Sequence, residues 1–118
     1  MTSFPPRPMT PAERAALEKV LSIDFVGVEQ LRAQVESALV VSRCDCGCPT
    51  FDLAVAASAP KAQVERSPVP SELRDNSLEQ PGEVILFVED GYLRSLEYVS
   101  PTGTPPAEWP DADTLDPL

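Results

Sequence analysis

Glu83-Val84-Ile85-Leu86-Phe87-Val88-Glu89-Asp90-Gly91-Tyr92-Leu93-Arg94-Ser95-Leu96-Glu97-Tyr98-Val99 reads as a β-hairpin and makes the fold a sheet protein. Asp-Gly between two β-rich runs is among the strongest short-range reversal signals, because glycine enters the positive-φ region such turns need without a Cβ penalty. The first run is continuously apolar from Val84 to Val88. That pattern predicts a central strand covered on both faces, with helices on one of them.

A second hairpin is expected upstream. Leu39-Val40-Val41-Ser42-Arg43-Cys44 is β-rich, and Phe51-Asp52-Leu53-Ala54-Val55 alternates apolar with polar or small residues. Between them Asp45-Cys46-Gly47 fits a three-residue loop with glycine in the left-handed conformation, which sets Cys44 opposite Cys48. Counting outward pairs Arg43 with Pro49, Ser42 with Thr50, Val41 with Phe51 and Leu39 with Leu53. Facing residues share a side, so Leu39, Val41, Phe51 and Leu53 would point to the core, leaving Cys44 and Cys48 on the more polar face.

Two helices precede these strands. Thr10-Pro11-Ala12-Glu13 supplies a capping hydroxyl, a proline at the first helical position and a glutamate three residues after the cap. Ala16, Leu17, Val20 and Leu21 then give an apolar stripe on a helix over 11–21. Asp24 is placed to cap a second helix over 26–37, in which Val28, Leu31 and Val35 recur at helical spacing.

The architecture predicted is therefore α+β: two N-terminal helices packed on an antiparallel sheet of about four strands formed by two β-hairpins. A chain of 118 residues with 42% apolar content suits one such domain. Its 14 prolines concentrate outside these elements. Residues 1–9 read as a flexible Pro-rich lead and 10–103 as the single domain. Within that domain, 57–82 is a long mobile connection holding Pro60, Pro68, Pro70 and Pro81, with one helical turn after Ser71. Residues 104–118 form an acidic Pro-rich tail carrying Trp109, which either folds back on the core or is presented to a partner.

Composition excludes several chemistries. The chain has no histidine, so Ser-His and Cys-His nucleophile pairs and imidazole metal ligands are ruled out. A formal charge of −10 opposes contact with nucleic acid or an anionic membrane surface and would favour a basic protein partner. Met1 to Pro8 lacks the apolar segment of a secretion signal and no long apolar run occurs, which points to a cytoplasmic location. Three cysteines within five positions do not suit a secreted disulfide framework, so reduced thiols are expected.

Those thiols are the one chemically distinctive feature. Cys44, Cys46 and Cys48 can supply three thiolates in a small volume, enough for Cu(I), or for Zn(II) with Asp45 or Asp52 as a fourth ligand. Cys44 and Cys48 facing across a tight loop would also permit a disulfide, with Cys46 placed to exchange with either. The plainer reading makes them small hydrophobic residues around a turn. No pair of carboxylates is singled out for catalysis, and phosphate-loop, nucleophile-elbow and calcium-loop patterns are absent. The sequence thus favours a non-enzymatic binding or protein-interaction module, monomeric or homodimeric, with Trp109 and Tyr92 as aromatic contacts. The alternative is a metal-binding or redox site at the cysteine cluster.

Arg43-Cys44-Asp45-Cys46-Gly47-Cys48-Pro49-Thr50, Glu89-Asp90-Gly91-Tyr92-Leu93 and Glu108-Trp109-Pro110 together resemble a set of short uncharacterised actinobacterial proteins, over about residues 11–111. The resemblance implies a cytoplasmic bacterial protein and brings no activity, ligand or catalytic residue with it.

Overall fold

The structure, a computed structural model, describes residues 2–118 as an α+β fold with two helices and a seven-stranded antiparallel sheet. In chain order the elements are β1 (Thr2–Arg7), α1 (Pro11–Val20), α2 (Val28–Gln34), β2 (Leu39–Arg43) and β3 (Phe51–Ala54). They are followed by β4 (Leu73–Asp75), β5 (Gly82–Glu89), β6 (Tyr92–Val99) and β7 (Leu115–Pro117). The strand order is β1-β2-β3-β6-β5-β4-β7.

The β5–β6 hairpin forms as expected, with Glu89 paired to Tyr92 across a two-residue turn. Asp90 and Gly91 both hold positive φ, 53° and 86°, the geometry that matches the twist of the flanking strands. Val84, Leu86 and Val88 are buried, whereas Ile85 and Phe87 on the other face are only half-buried, so β5 is sealed on one side rather than both.

α1 begins with the expected reciprocal cap: the Glu13 amide donates to the Thr10 hydroxyl, and the Thr10 amide donates to the Glu13 carboxylate. Arg7 adds a two-pronged bond to the same carboxylate at 2.8 and 3.1 Å. α2 starts later than predicted, after Gly27, and continues as a 3-10 turn over Val35–Ser37. Asp24 is not its cap; that carboxylate accepts instead from Arg32 at 3.1 Å. Ala16, Leu17, Val20 and Leu31 share one buried cluster with Phe51, Leu86 and Leu96 of the sheet.

Three expectations are corrected. The sheet exceeds four strands because the Pro-rich lead and the tail both add edges to it. β1 pairs with β2 through Thr2 and Ser3 and again at Arg7, and the irregularity between them absorbs Pro5 and Pro6, which cannot donate to a ladder. β7 pairs with β4, itself a strand where a helical turn was expected. Finally, the β2–β3 register is shifted: Arg43 faces Phe51, Ser42 faces Asp52, and Val40 faces Leu53, with Val41 the extra residue of a bulge. Val40 is therefore the core residue of β2, while Leu39 and Val41 are not buried.

The tail folds back. Trp109 is 6% exposed and packs edge-on against Phe51 and Tyr98, with ring centroids 5.8 and 6.0 Å away. Below it, the buried Asp75 carboxylate accepts from the Tyr98 hydroxyl at 2.5 Å and from the Ser77 amide and hydroxyl at 2.9 and 2.6 Å. Burial alone would raise the Asp75 pKa, but these bonds outweigh it and hold the carboxyl below its ordinary value.

Candidate metal centre

The bulge and the shifted register make the loop between β2 and β3 wider than a three-residue turn. The Cys44 amide donates to the Thr50 carbonyl at 3.1 Å, so the reversal runs from Asp45 to Pro49 and the three cysteines lie on or beside it rather than across a ladder. Gly47 takes the left-handed conformation, φ 91°, as predicted, and no atom stands within 4 Å of where its Cβ would be. Curling the chain at this glycine returns Cys48 towards Cys46.

The sulfurs converge. Cys44 Sγ lies 2.7 Å from Cys46 Sγ, which lies 2.9 Å from Cys48 Sγ, and all three are within 4.8 Å of one another. The 2.7 and 2.9 Å separations are shorter than an ordinary contact between unbonded thiols and longer than the roughly 2.05 Å of a disulfide. Tetrahedral ligands at the ~2.3 Å of a zinc thiolate stand about 3.8 Å apart, so an ion entering the triangle would spread it. Cys46 is exposed, Cys44 half-buried and Cys48 buried.

The contact polarises the set. Hydrogen bonding from Cys44, reinforced by Cys48, brings the Cys46 thiol down to about 7. The same bond to Cys46 pushes Cys44 up to about 11. One thiolate thus forms readily at Cys46, and Cys44 holds a proton that a metal ion would displace.

Neither expected fourth ligand joins the group of converging atoms, which consists of cysteines. Asp52 sits on the sheet, where it accepts from the Ser42 hydroxyl at 2.8 Å and lies 3.7 Å from the Arg94 guanidinium. Asp45 has a partner of its own. Cys44 and Cys48 also do not face each other across paired strands, so the expected cross-loop arrangement is replaced by one centred on Cys46.

The aromatic candidates are elsewhere. Trp109 is sealed in the core, the first of the two courses expected for it, and does not present its ring to solvent. Tyr92 is half-buried, and its hydroxyl donates to the Ala57 carbonyl at 3.3 Å. Chain-distant residues that sequence reasoning missed surround the loop: Phe4 of β1, with Ala107 and Glu108 of the tail, line a cleft of about 520 Å³ together with Arg43, Cys44 and Cys48. Only the fold brings those segments together.

Fold and loop define a small antiparallel α+β protein that carries a three-thiol cluster outside its core. Comparison with protein-family models, curated proteins and solved structures gives no match. Among the described residues, no helix is long and apolar enough to cross a membrane.

Proposed function

We propose that the protein binds one soft metal ion, Zn(II) or Cu(I), through the thiolates of Cys44, Cys46 and Cys48, and holds it for exchange rather than for folding. The observation that carries this is the convergence of three sulfurs within 4.8 Å on one loop, with the central one exposed. Thiolates select these ions over the hard cations that carboxylates prefer. The −10 charge of the chain draws cations towards it. Three ligands complete a site for Cu(I) and leave a fourth position open on Zn(II), unlike the closed four-ligand sites that staple a fold. A reducing, cytoplasmic setting would keep the ligands available.

The reading as an acidic interaction module with a basic partner keeps only the net charge for support, since both of its aromatic contacts are engaged within the chain. Competition against a chromophoric chelator tests the metal reading, with Zn(II) and, under reductant, with Cu(I). Reduced wild-type protein should withdraw one ion per chain, and Cys46→Ser should lose at least about a hundredfold in affinity by removal of the central ligand. Failure of the wild type to withdraw either ion, or equal affinity in Cys46→Ser, would overturn it.

A further inference from the structure

The cleft beside the cysteine loop has its own chemistry. Two of the three cysteines line it, Phe4 supplies a half-buried aromatic wall, and Arg43 and Glu108 bring opposite charges to it. Arg43 is under-used. Among the described residues its side chain makes one hydrogen bond, from Nη2 to the Ala107 carbonyl at a long 3.4 Å, and its Nε is buried without a partner. A guanidinium with so little engaged is a ready carboxylate receptor, because its planar fork matches two carboxylate oxygens. Glu108 is exposed, and its charge suits an ammonium group.

From this arrangement we infer that the cleft receives a small aminothiol acid, an α-amino acid or short peptide bearing a thiol, whose sulfur takes the open fourth position on a divalent ion held by Cys44, Cys46 and Cys48. The inference rests on the metal reading above and names its exchange ligand. Arg43 takes the ligand's carboxylate and Glu108 its ammonium group, while Phe4 covers its carbon chain. A volume of about 520 Å³ accommodates a ligand of that size. Charge sets the selectivity: three thiolates, Asp45 and Glu108 disfavour a thiol that carries only negative charge, whereas a zwitterion brings its own compensation. The ligand thiol loses its proton to solvent as its sulfur binds the metal, and no oxidation state changes.

Co(II) replaces Zn(II) as the probe, because its visible bands and its sulfur-to-metal charge transfer report coordination. Reduced full-length protein is loaded with Co(II) and titrated with L-cysteine, cysteamine, 3-mercaptopropionate and L-serine. L-Cysteine should add one equivalent and strengthen the charge-transfer band, binding about tenfold tighter than cysteamine or 3-mercaptopropionate, the value of one charge-assisted hydrogen bond. L-Serine should leave the spectrum unchanged. Arg43→Gln should erase the preference over cysteamine and Glu108→Gln the preference over 3-mercaptopropionate, with Co(II) affinity retained in both. The ligand series on the wild-type chain needs no variant. Equal binding of the three thiols, or removal of Co(II) by L-cysteine, overturns the inference alone. Absence of a cobalt–thiolate band before any thiol is added overturns both it and the metal reading.

Discussion

Gly47 and Gly91 both reverse a hairpin in the left-handed conformation, at φ 91° and 86°, yet their surroundings are opposite. A Cβ on Gly91 would fall 2.4 Å from Lys61 Cγ and 2.6 Å from the Ala62 carbonyl oxygen, while one on Gly47 would meet nothing within 4 Å. The Gly91 turn is also bonded from several sides. Gln34, fully buried, donates to the carbonyls of Pro60 and Gly91 and accepts from the Leu93 amide, and the Ala62 amide donates to Gly91 as well. One reversal is built into the core; the other is left standing clear of it. The same backbone device thus serves stability in one place and accessible sulfur chemistry in the other.

Removing the Gln34 side chain tests the packed reversal hardest. Gln34→Ala strands the buried Leu93 amide, removes one of the two bonds to the Gly91 carbonyl and leaves a cavity in the core, and urea denaturation should show a loss of about 3 kcal/mol. Gly91→Ala should cost about 3 kcal/mol, from positive φ and steric overlap together. Gly47→Ala, which has only the φ penalty to meet, should cost about 1 kcal/mol. Equal costs for the two glycines would erase the contrast drawn between the turns.

The far end of the same hairpin gives a pH signature. The Asp75 carboxyl is held below its ordinary pKa by Ser77, Tyr98 and Thr114. Its contribution is therefore complete above the unfolded value of about 3.9 and lost as pH falls through the lower folded value. Tyr98→Phe should cost about 2 kcal/mol at neutral pH and flatten the acid limb of the stability profile. An unchanged acid limb in that variant would remove Tyr98 from the account.

The smallest structural effect belongs to the loop. Cys46→Ser should leave the urea midpoint where it is, because the residue is exposed. Alkylation of metal-free reduced protein should follow the thiolate populations: Cys46 reacts first, with a rate rising through about pH 7, while Cys44 stays protonated towards about pH 11. Peptide mapping after brief iodoacetamide exposure checks the order.

How legible each region was follows from how local its determinants are. Thr10 and Glu13 fix the start of α1 within four residues, and Asp90-Gly91 fixes a turn within two, so both could be read directly. β1 and β7 could not: Thr2–Arg7 carries two prolines and Leu115–Pro117 is three residues long, and each becomes a strand only because β2 or β4 offers it an open edge. The β2–β3 register failed for a related reason, since one extra residue at Val41 reverses the face assignment and nothing in the run Leu39–Arg43 announces it. The cysteines themselves were plain in the sequence as ligand candidates. Their convergence on Cys46 follows from the local curl of the loop at Gly47, whereas the open cleft lined by Phe4, Ala107 and Glu108 depends on segments separated by most of the chain.

Native mass spectrometry of reduced protein, with one equivalent of Zn(II) or Cu(I) and exchange into volatile buffer, addresses the central claim most directly. The account predicts one retained ion per chain, loss of that ion in Cys46→Ser, and the same charge-state envelope with and without metal, since the fold does not depend on it. A chain that retains neither ion while its three thiols remain reduced would contradict the account.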